Sequence, residues 1–106
     1  MARTIGIGVI GMGWMRTVHS RSYRNLADRF HSAGLRAQMI VCAADVEARA
    51  QAAQSQFGFE RSTTDWMKVV DDPAVDVVVV ATPNNMHVSI VKAVAAAGKH
   101  VFVQSL

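Results

Sequence analysis

Two glycines near the start of the chain have the type and spacing to hold an anion. An apolar run, Ile5 to Ile10, breaks at Gly11 and Gly13 and leads into a stretch with a helical pattern. Glycine at 11 permits a sharp turn off a strand, and glycine at 13 removes the Cβ that would block a pyrophosphate. The helix start would add backbone amides of Trp14 and Met15 and a partial positive charge. The spacing therefore predicts the phosphate site of a dinucleotide.

A second glycine pattern overlaps the first and points to a different register. Gly6, Gly8 and Gly11 also satisfy GxGxxG, but Gly6 and Gly8 alternate with apolar residues inside the run. Glycines inside a strand more often mark close packing than a ligand, so we expect these two to be packing residues. In the register that we favour, Arg16 stands where the third glycine is usual, and a purely structural two-glycine turn remains an alternative.

An acidic residue follows the second apolar run, where the ribose of a dinucleotide would need an acceptor. Asp45 is the candidate, and its alternative role is to cap a helix that begins at Val46. It lies farther from Gly11 than the usual ~20 residues, which predicts an extended loop around Arg29 to Arg36. A carboxylate repels a 2′-phosphate, so the sequence favours NAD, while Arg49 leaves NADP possible.

Short polar residues follow the Val77 to Val80 run, at the edge where open parallel sheets bind ligands. Thr82 and Asn84 could face a ribose or nicotinamide, and Pro83 stops the strand between them. His87 follows in the first turn of the next helix and is a further candidate contact, with a capping or surface role as its alternative.

Other chemistries find little support in the residues. The four histidines have no partners at metal-ligand spacing, and no Gly-Lys-Ser/Thr follows the glycines, as a nucleoside triphosphate loop requires. Cys42 lies in an apolar run and is expected to be a core residue, not a nucleophile. Asp71 and Asp72 precede Pro73 and indicate a turn, not a catalytic pair.

The elements that would position these residues alternate between strand and helix. This alternation predicts an α/β fold, a Rossmann-like doubly wound parallel sheet with strand order 3-2-1-4-5. Gly58 and Gly98 are expected to end helices in the left-handed conformation. The predicted strands are 4–10, 38–43, 59–61, 75–81 and 100–103, and the predicted helices are 14–27, 46–57, 66–70 and 86–97.

Length and composition limit the remaining classes of function. The 106 residues, 51% hydrophobic with a net charge of +3, predict one domain over 1–106. Basic residues are scattered, which argues against a nucleic-acid partner. No apolar run reaches the ~18 residues of a membrane span, so we expect no membrane partner and a cytoplasmic protein.

Three blocks of the sequence together resemble a known family. IGVIGMGWMRTVHSRSY at Ile7 to Tyr23, VDVVVVATPNNMH at Val75 to His87 and AAGKHVFV at Ala96 to Val103 are similar to the N-terminal domain of the Gfo/Idh/MocA oxidoreductases. The resemblance implies hydride transfer between a nicotinamide and the CH–OH carbon of a sugar, polyol or similar substrate. It also implies cofactor contacts at a set of residues already singled out: Gly11, Gly13, Asp45, Thr82, Pro83, Asn84 and His87.

The chain departs from the family pattern at its end. Where the family has Glu-Lys-Pro, with a lysine that helps to polarise the reacting hydroxyl, this chain has Gln104, Ser105 and Leu106. The family also continues into a substrate-binding domain that these residues do not include. We therefore expect a truncated dinucleotide-binding domain that does not turn over substrate alone and that self-associates through the exposed sheet end.

Two other functions remain open on the sequence. The chain could be a non-catalytic nucleotide-binding or interaction module that kept the fold and lost the chemistry. A methyltransferase-like nucleotide fold is a weaker alternative, because Ile10, and not an acidic residue, precedes the glycine turn.

Overall fold

A computed structural model describes residues 3–11, 28–82 and 84–103 of the chain. The strands in this part are β1 (Arg3–Gly11), β2 (Leu35–Ala43), β3 (Arg61–Thr63), β4 (Val77–Ala81) and β5 (His100–Val103). The helices are α1 (Glu47–Phe57), α2 (Trp66–Asp71) and α3 (Asn84–Ala96), and residues 28–32 are also helical. The predicted helix over 14–27 lies outside the described residues.

All five strands run parallel, in the order β3-β2-β1-β4-β5. The predicted fold class and strand order are confirmed. The chain places β2 and β3 on one side of β1 and then crosses to place β4 and β5 on the other. This reversal next to β1 is where open α/β sheets leave a crevice for a ligand.

Apolar side chains cover both faces of the sheet, as the unbroken valine run in β4 predicts. Val78 and Val80 pack in one cluster with Ile90 and Val94 of α3, whereas Val79 packs in a second cluster on the opposite face. The second cluster also holds Cys42 and Phe59 and is flanked by Phe30 and by Ala53 and Phe57 of α1. A doubly wound sheet therefore supports the strand ends from both sides.

The two early glycines of β1 are packing residues, as predicted. A Cβ at Gly6 would lie 1.8 Å from the carbonyl oxygen of Ala74, and a Cβ at Gly8 would lie 2.5 Å from Cγ1 of Val69. Side chains at these positions would push α2 and the segment before β4 away from the sheet. The overlapping GxGxxG match is thus explained by packing.

Some boundaries differ from the sequence predictions. β3 was expected over 59–61 but spans Arg61–Thr63, because Phe59 is buried in the core instead of lying in the sheet. The extended loop expected around Arg29 to Arg36 is wrong: residues 28–32 are helical and β2 begins at Leu35. The long separation between Gly11 and Asp45 therefore includes the end of a helix and a nine-residue strand.

Two helices end as the glycine positions predict. Gly58 and Gly98 have φ of 74° and 72°, in the left-handed region that glycine adopts without a steric penalty. The N–H of Gly58 donates to the carbonyl of Gln54 at 2.9 Å and so satisfies a carbonyl at the end of α1. No helix in the described ranges is both long and apolar enough to cross a membrane.

Candidate functional site

The carboxyl ends of three neighbouring strands meet at one edge of the sheet. Gly11 at the end of β1 lies opposite Ala81 at the end of β4, and Ile10 lies opposite Ala43 at the end of β2. We call this the carboxyl edge, formed by Gly11, Ala43 and Ala81 with the described residues that follow β2 and β4, Ala44, Asp45 and Thr82. The predicted residues Gly11, Asp45, Thr82 and His87 all belong to this edge or adjoin it.

Asp45 lies two residues beyond β2 and forms an ion pair with Arg49. One guanidinium nitrogen of Arg49, Nη1, donates to both carboxylate oxygens, at 3.0 and 2.8 Å. The Asp45 side chain is 41% exposed, so its oxygens keep lone pairs that a ligand can reach. Val46, not Asp45, is the N-cap residue of α1, and its side chain makes no capping hydrogen bond. The capping alternative for Asp45 is therefore wrong.

Arg49 lowers the net negative charge beside the end of β2. The pair is a surface i,i+4 pair, with 46% of the arginine side chain exposed. Such pairs contribute only about 0.3–0.5 kcal/mol to helix stability. The larger consequence is electrostatic, because a paired carboxylate repels a nearby anion less than a bare one does. The i,i+4 spacing was the sequence signal for this contact.

Thr82 is buried at the carboxyl edge, and its hydroxyl has no partner among the residues that the structure describes. The residue is 0% exposed, and within this part of the chain Oγ1 makes no hydrogen bond. Leaving a buried hydroxyl unpaired costs about 1–3 kcal/mol. Such a group in a native fold is usually explained by a water or a ligand.

His87 lies in the first turn of α3 and contacts the backbone of Thr82. Its Nε2 lies 2.6 Å from the Thr82 carbonyl oxygen, and the side chain is partly buried. The sequence predicts His87 as a cofactor contact but carries no signal for this bond, because the five-residue span crosses a strand end and a helix start.

Most of the remaining predicted contact residues lie outside the part of the chain that the structure describes. Gly13, Trp14, Met15 and Pro83 lie outside the described residues. Asn84 is the first residue of α3, at the carboxyl edge. The structure thus brings together the described candidates at the end of β1 and those that follow β2 and β4.

Cys42 is a core residue, as predicted. It is 3% exposed, and its thiol donates to the carbonyl oxygen of Ala50 at 3.4 Å. Burial raises the pKa of the Cys42 thiol to about 11, far above neutral pH. The thiolate, which is the nucleophilic form, is therefore scarce.

Asp72 belongs to the opposite, amino edge of the sheet. Its Oδ2 accepts hydrogen bonds from Arg61 Nε and Nη2 at 3.1 and 2.6 Å, and its Oδ1 accepts one from the N–H of Ala74 at 2.9 Å. Asp71 is the last residue of α2 and is exposed. The Asp72 carboxylate thus stabilises the turn before β4, in keeping with the turn that the sequence predicts.

Comparison with known proteins gives a consistent result. A family model described as an oxidoreductase family with an NAD-binding Rossmann fold matches residues 5–104. The chain is 40% identical, over 96% of its length, to levoglucosan dehydrogenase of Pseudarthrobacter phenanthrenivorans. It is 32% identical, over 92% of its length, to myo-inositol 2-dehydrogenase of Thermotoga maritima. The chain spans 26% and 27% of these two relatives, about a quarter of their length.

Solved structures agree with the observed fold. Levoglucosan dehydrogenase in complex with NADH and L-sorbose matches with a TM-score of 0.80 at 39% identity, covering 95% of this chain and 27% of that one. An NAD binding oxidoreductase from Klebsiella pneumoniae matches with a TM-score of 0.78 at 36% identity, covering 97% and 27%.

Proposed function

This chain belongs to the oxidoreductase family with the NAD-binding Rossmann fold, and from that membership we propose that its carboxyl edge holds the dinucleotide for oxidation of a sugar or polyol. The observation that carries the proposal is the meeting of Gly11, Asp45 and Thr82 at one edge. Gly11 ends β1, while Asp45 and Thr82 follow β2 and β4, and these three strands are neighbours in the sheet.

The residues present fit a dinucleotide by their chemistry. The exposed Asp45 carboxylate can accept hydrogen bonds from ribose hydroxyls. The Thr82 hydroxyl, which has no partner within residues 3–11, 28–82 and 84–103, can bond a polar group of a ligand or a water. We propose that the glycine turn, with Gly11 and Gly13, lies against the pyrophosphate, where Trp14 and Met15 contribute backbone amides. Pro83 and Asn84 complete the proposed contacts at the start of α3. The bound nicotinamide would supply the hydride acceptor, which no protein side chain provides.

The relatives support a proposal for the substrate class. The two proteins named above are a levoglucosan dehydrogenase and an inositol dehydrogenase, so we propose a CH–OH group of a sugar, polyol or related alcohol as the site of oxidation. We also propose that the 106-residue polypeptide binds dinucleotide without turning over substrate. Ser105 stands where the resemblance implies a lysine, and serine has no positive charge with which to polarise a hydroxyl.

A titration of NADH fluorescence tests the proposal. We expect saturable quenching by the wild-type chain and a roughly tenfold weaker affinity for Asp45→Ala, the equivalent of one lost charged hydrogen-bonding partner. Glu47→Ala is the matched control, because it removes an exposed carboxylate two residues away and should leave the affinity unchanged. Absence of quenching at millimolar NADH contradicts the proposal, as does NADH formation from NAD and levoglucosan by the 106-residue chain.

We further propose that the chain self-associates by antiparallel pairing of β5 with β5 of a second copy. β5 is the last strand of the observed sheet, and its Val101 and Val103 are 38% and 44% exposed. An edge with exposed apolar residues is a ready template for pairing. Light scattering should show dimers that Val101→Lys weakens, and a strict monomer at high concentration would contradict the proposal.

A cytoplasmic location stays a prediction from the sequence.

A further inference from the structure

The hydrogen bond between His87 and Thr82 determines which ring nitrogen carries the proton. His87 Nε2 lies 2.6 Å from the carbonyl oxygen of Thr82. A carbonyl oxygen only accepts hydrogen bonds, so the hydrogen must be on Nε2. Whenever the ring is neutral, the contact therefore selects the tautomer protonated at Nε2 and leaves Nδ1 without a hydrogen.

The Thr82 carbonyl needs this donor because of its place in the fold. Thr82 is fully buried, directly after β4. The next residue is Pro83, so the peptide that joins them has no N–H and the carbonyl is its one strong hydrogen-bonding group. A buried carbonyl without a partner is rare and costly. His87 therefore provides, from the first turn of α3, the donor that the peptide requires.

Resting on the proposed function, we infer that His87 is a positioning residue and not a direct ligand of the dinucleotide. By bonding the Thr82 carbonyl, it joins the end of β4 to the first turn of α3. The bond thereby orients Thr82 at the carboxyl edge, where its hydroxyl has no partner in the described part of the chain. Loss of the bond would let the Thr82 peptide rotate and would weaken dinucleotide binding without removing any group that touches the ligand.

Two substitutions separate positioning from direct contact. Glutamine carries its amide nitrogen about as far along the side chain as Nε2, whereas asparagine carries it near the place of Nδ1. His87→Gln should therefore keep the donor to Thr82, and His87→Asn should lose it. We expect NADH affinity within about twofold of wild type for His87→Gln and about tenfold weaker for His87→Asn. His31→Asn, at an exposed histidine in the 28–32 helical stretch, is the matched control and should bind as wild type does.

The NADH titrations test the inference separately from the proposed function. The inference is wrong if both His87 variants bind NADH as tightly as wild type, or if asparagine preserves the affinity and glutamine does not. In either case, quenching by the wild-type chain still supports the proposed function. Absence of quenching by the wild-type chain overturns the proposed function and the inference with it.

Nitrogen NMR of the wild-type imidazole, at a pH where the ring is neutral, needs no variant. A proton on Nε2 with slow exchange supports the inference, and a proton on Nδ1 overturns it.

Discussion

At the scale of single residues, the pair Asp45–Arg49 combines two opposing effects on cofactor choice. Asp45 offers acceptors to ribose hydroxyls, and its charge opposes a 2′-phosphate. Arg49 offsets part of that charge through two contacts of 3.0 Å or less. The balance between these neighbouring side chains, and not the aspartate alone, should therefore set the preference between NAD and NADP.

Removing each partner in turn should move that preference in opposite directions. Arg49→Ala leaves the carboxylate bare, so we expect NADPH affinity to fall about tenfold while NADH affinity changes little. Asp45→Ala frees the guanidinium and should shift the affinity ratio toward NADPH. Fluorescence titrations with both cofactors give the ratio, and Gln51→Ala, an exposed residue half a turn farther along α1, is the control. An unchanged ratio in Arg49→Ala would refute this account.

At the scale of elements, β1 depends on two glycines that are obstructed by different kinds of atom. The nearest neighbour of Gly8 is the end of the Val69 side chain in α2, which can be shortened, and the methyls of Val75 are next, at 3.1 and 3.2 Å from a Cβ. The neighbour of Gly6 is the backbone carbonyl of Ala74, which no substitution removes. Gly6 is also held by Asp76, whose Oδ2 accepts from the Gly6 N–H at 2.7 Å and whose N–H donates to the Gly6 carbonyl at 2.8 Å.

This difference predicts which clash can be relieved. Gly8→Ala should lower the free energy of unfolding by about 1–3 kcal/mol, and the loss should shrink in a Val69→Ala background because the obstructing methyl is gone. Gly6→Ala should cost more and should not be relieved by Ala74→Gly, which leaves the carbonyl in place. Urea unfolding of the single and double variants measures the interaction free energy of each pair, Gly8 with Val69 and Gly6 with Ala74. Equal costs of Gly8→Ala in the two backgrounds would disprove the packing explanation.

At the scale of the whole molecule, the two edges of the sheet have different roles, ligand binding at one and structural hydrogen bonding at the other. The carboxyl edge carries the proposed ligand contacts, while Asp72 joins several segments at the amino edge. Its carboxylate bonds Arg61 of β3 and the N–H of Ala74, and its carbonyl accepts from Lys99 Nζ, just before β5. Burial opposes ionisation of Asp72, but its hydrogen bonds from Ala74 and Arg61 and the nearby Lys99 outweigh this and lower the pKa of the carboxyl.

A lowered pKa makes the amino edge sensitive to acid. The stabilisation by the Asp72 carboxylate is complete above its ordinary pKa of 3.8 and is lost as the pH falls through the lower value of the folded state. We expect Asp72→Asn to be less stable than wild type at about pH 6 and to show a smaller further loss on acidification to about pH 3. Urea midpoints across this range provide the measurement. Asp71→Asn, at the exposed neighbour, should follow the wild-type curve, and identical curves for both variants would contradict the role of Asp72.

Several features of the fold could be predicted because they depend on residues close together in the sequence. The valine run of β4 indicates a strand covered on both faces, and Gly58 and Gly98 end their helices whatever the rest of the chain does. The strand order follows from right-handed crossovers between parallel strands. The positions of Gly11, Asp45 and Thr82 at strand ends then follow from the order of elements. Phe59 was misassigned because strand propensity does not distinguish an apolar residue in a sheet from one buried beside it.

The amino-acid sequence by itself determined the fold class, the strand order and the edge at which the candidate residues gather, since periodicity and turn chemistry are local. Only the tertiary structure decided which groups bond to one another. The Asp76 carboxylate accepts a hydrogen bond from the Gly6 N–H, 70 positions away in the sequence. The His87 ring bonds the Thr82 carbonyl instead of facing open solvent. The physical reason is that a hydrogen bond depends on distances of a few tenths of an ångström, which packing of the whole sheet sets and no local pattern encodes.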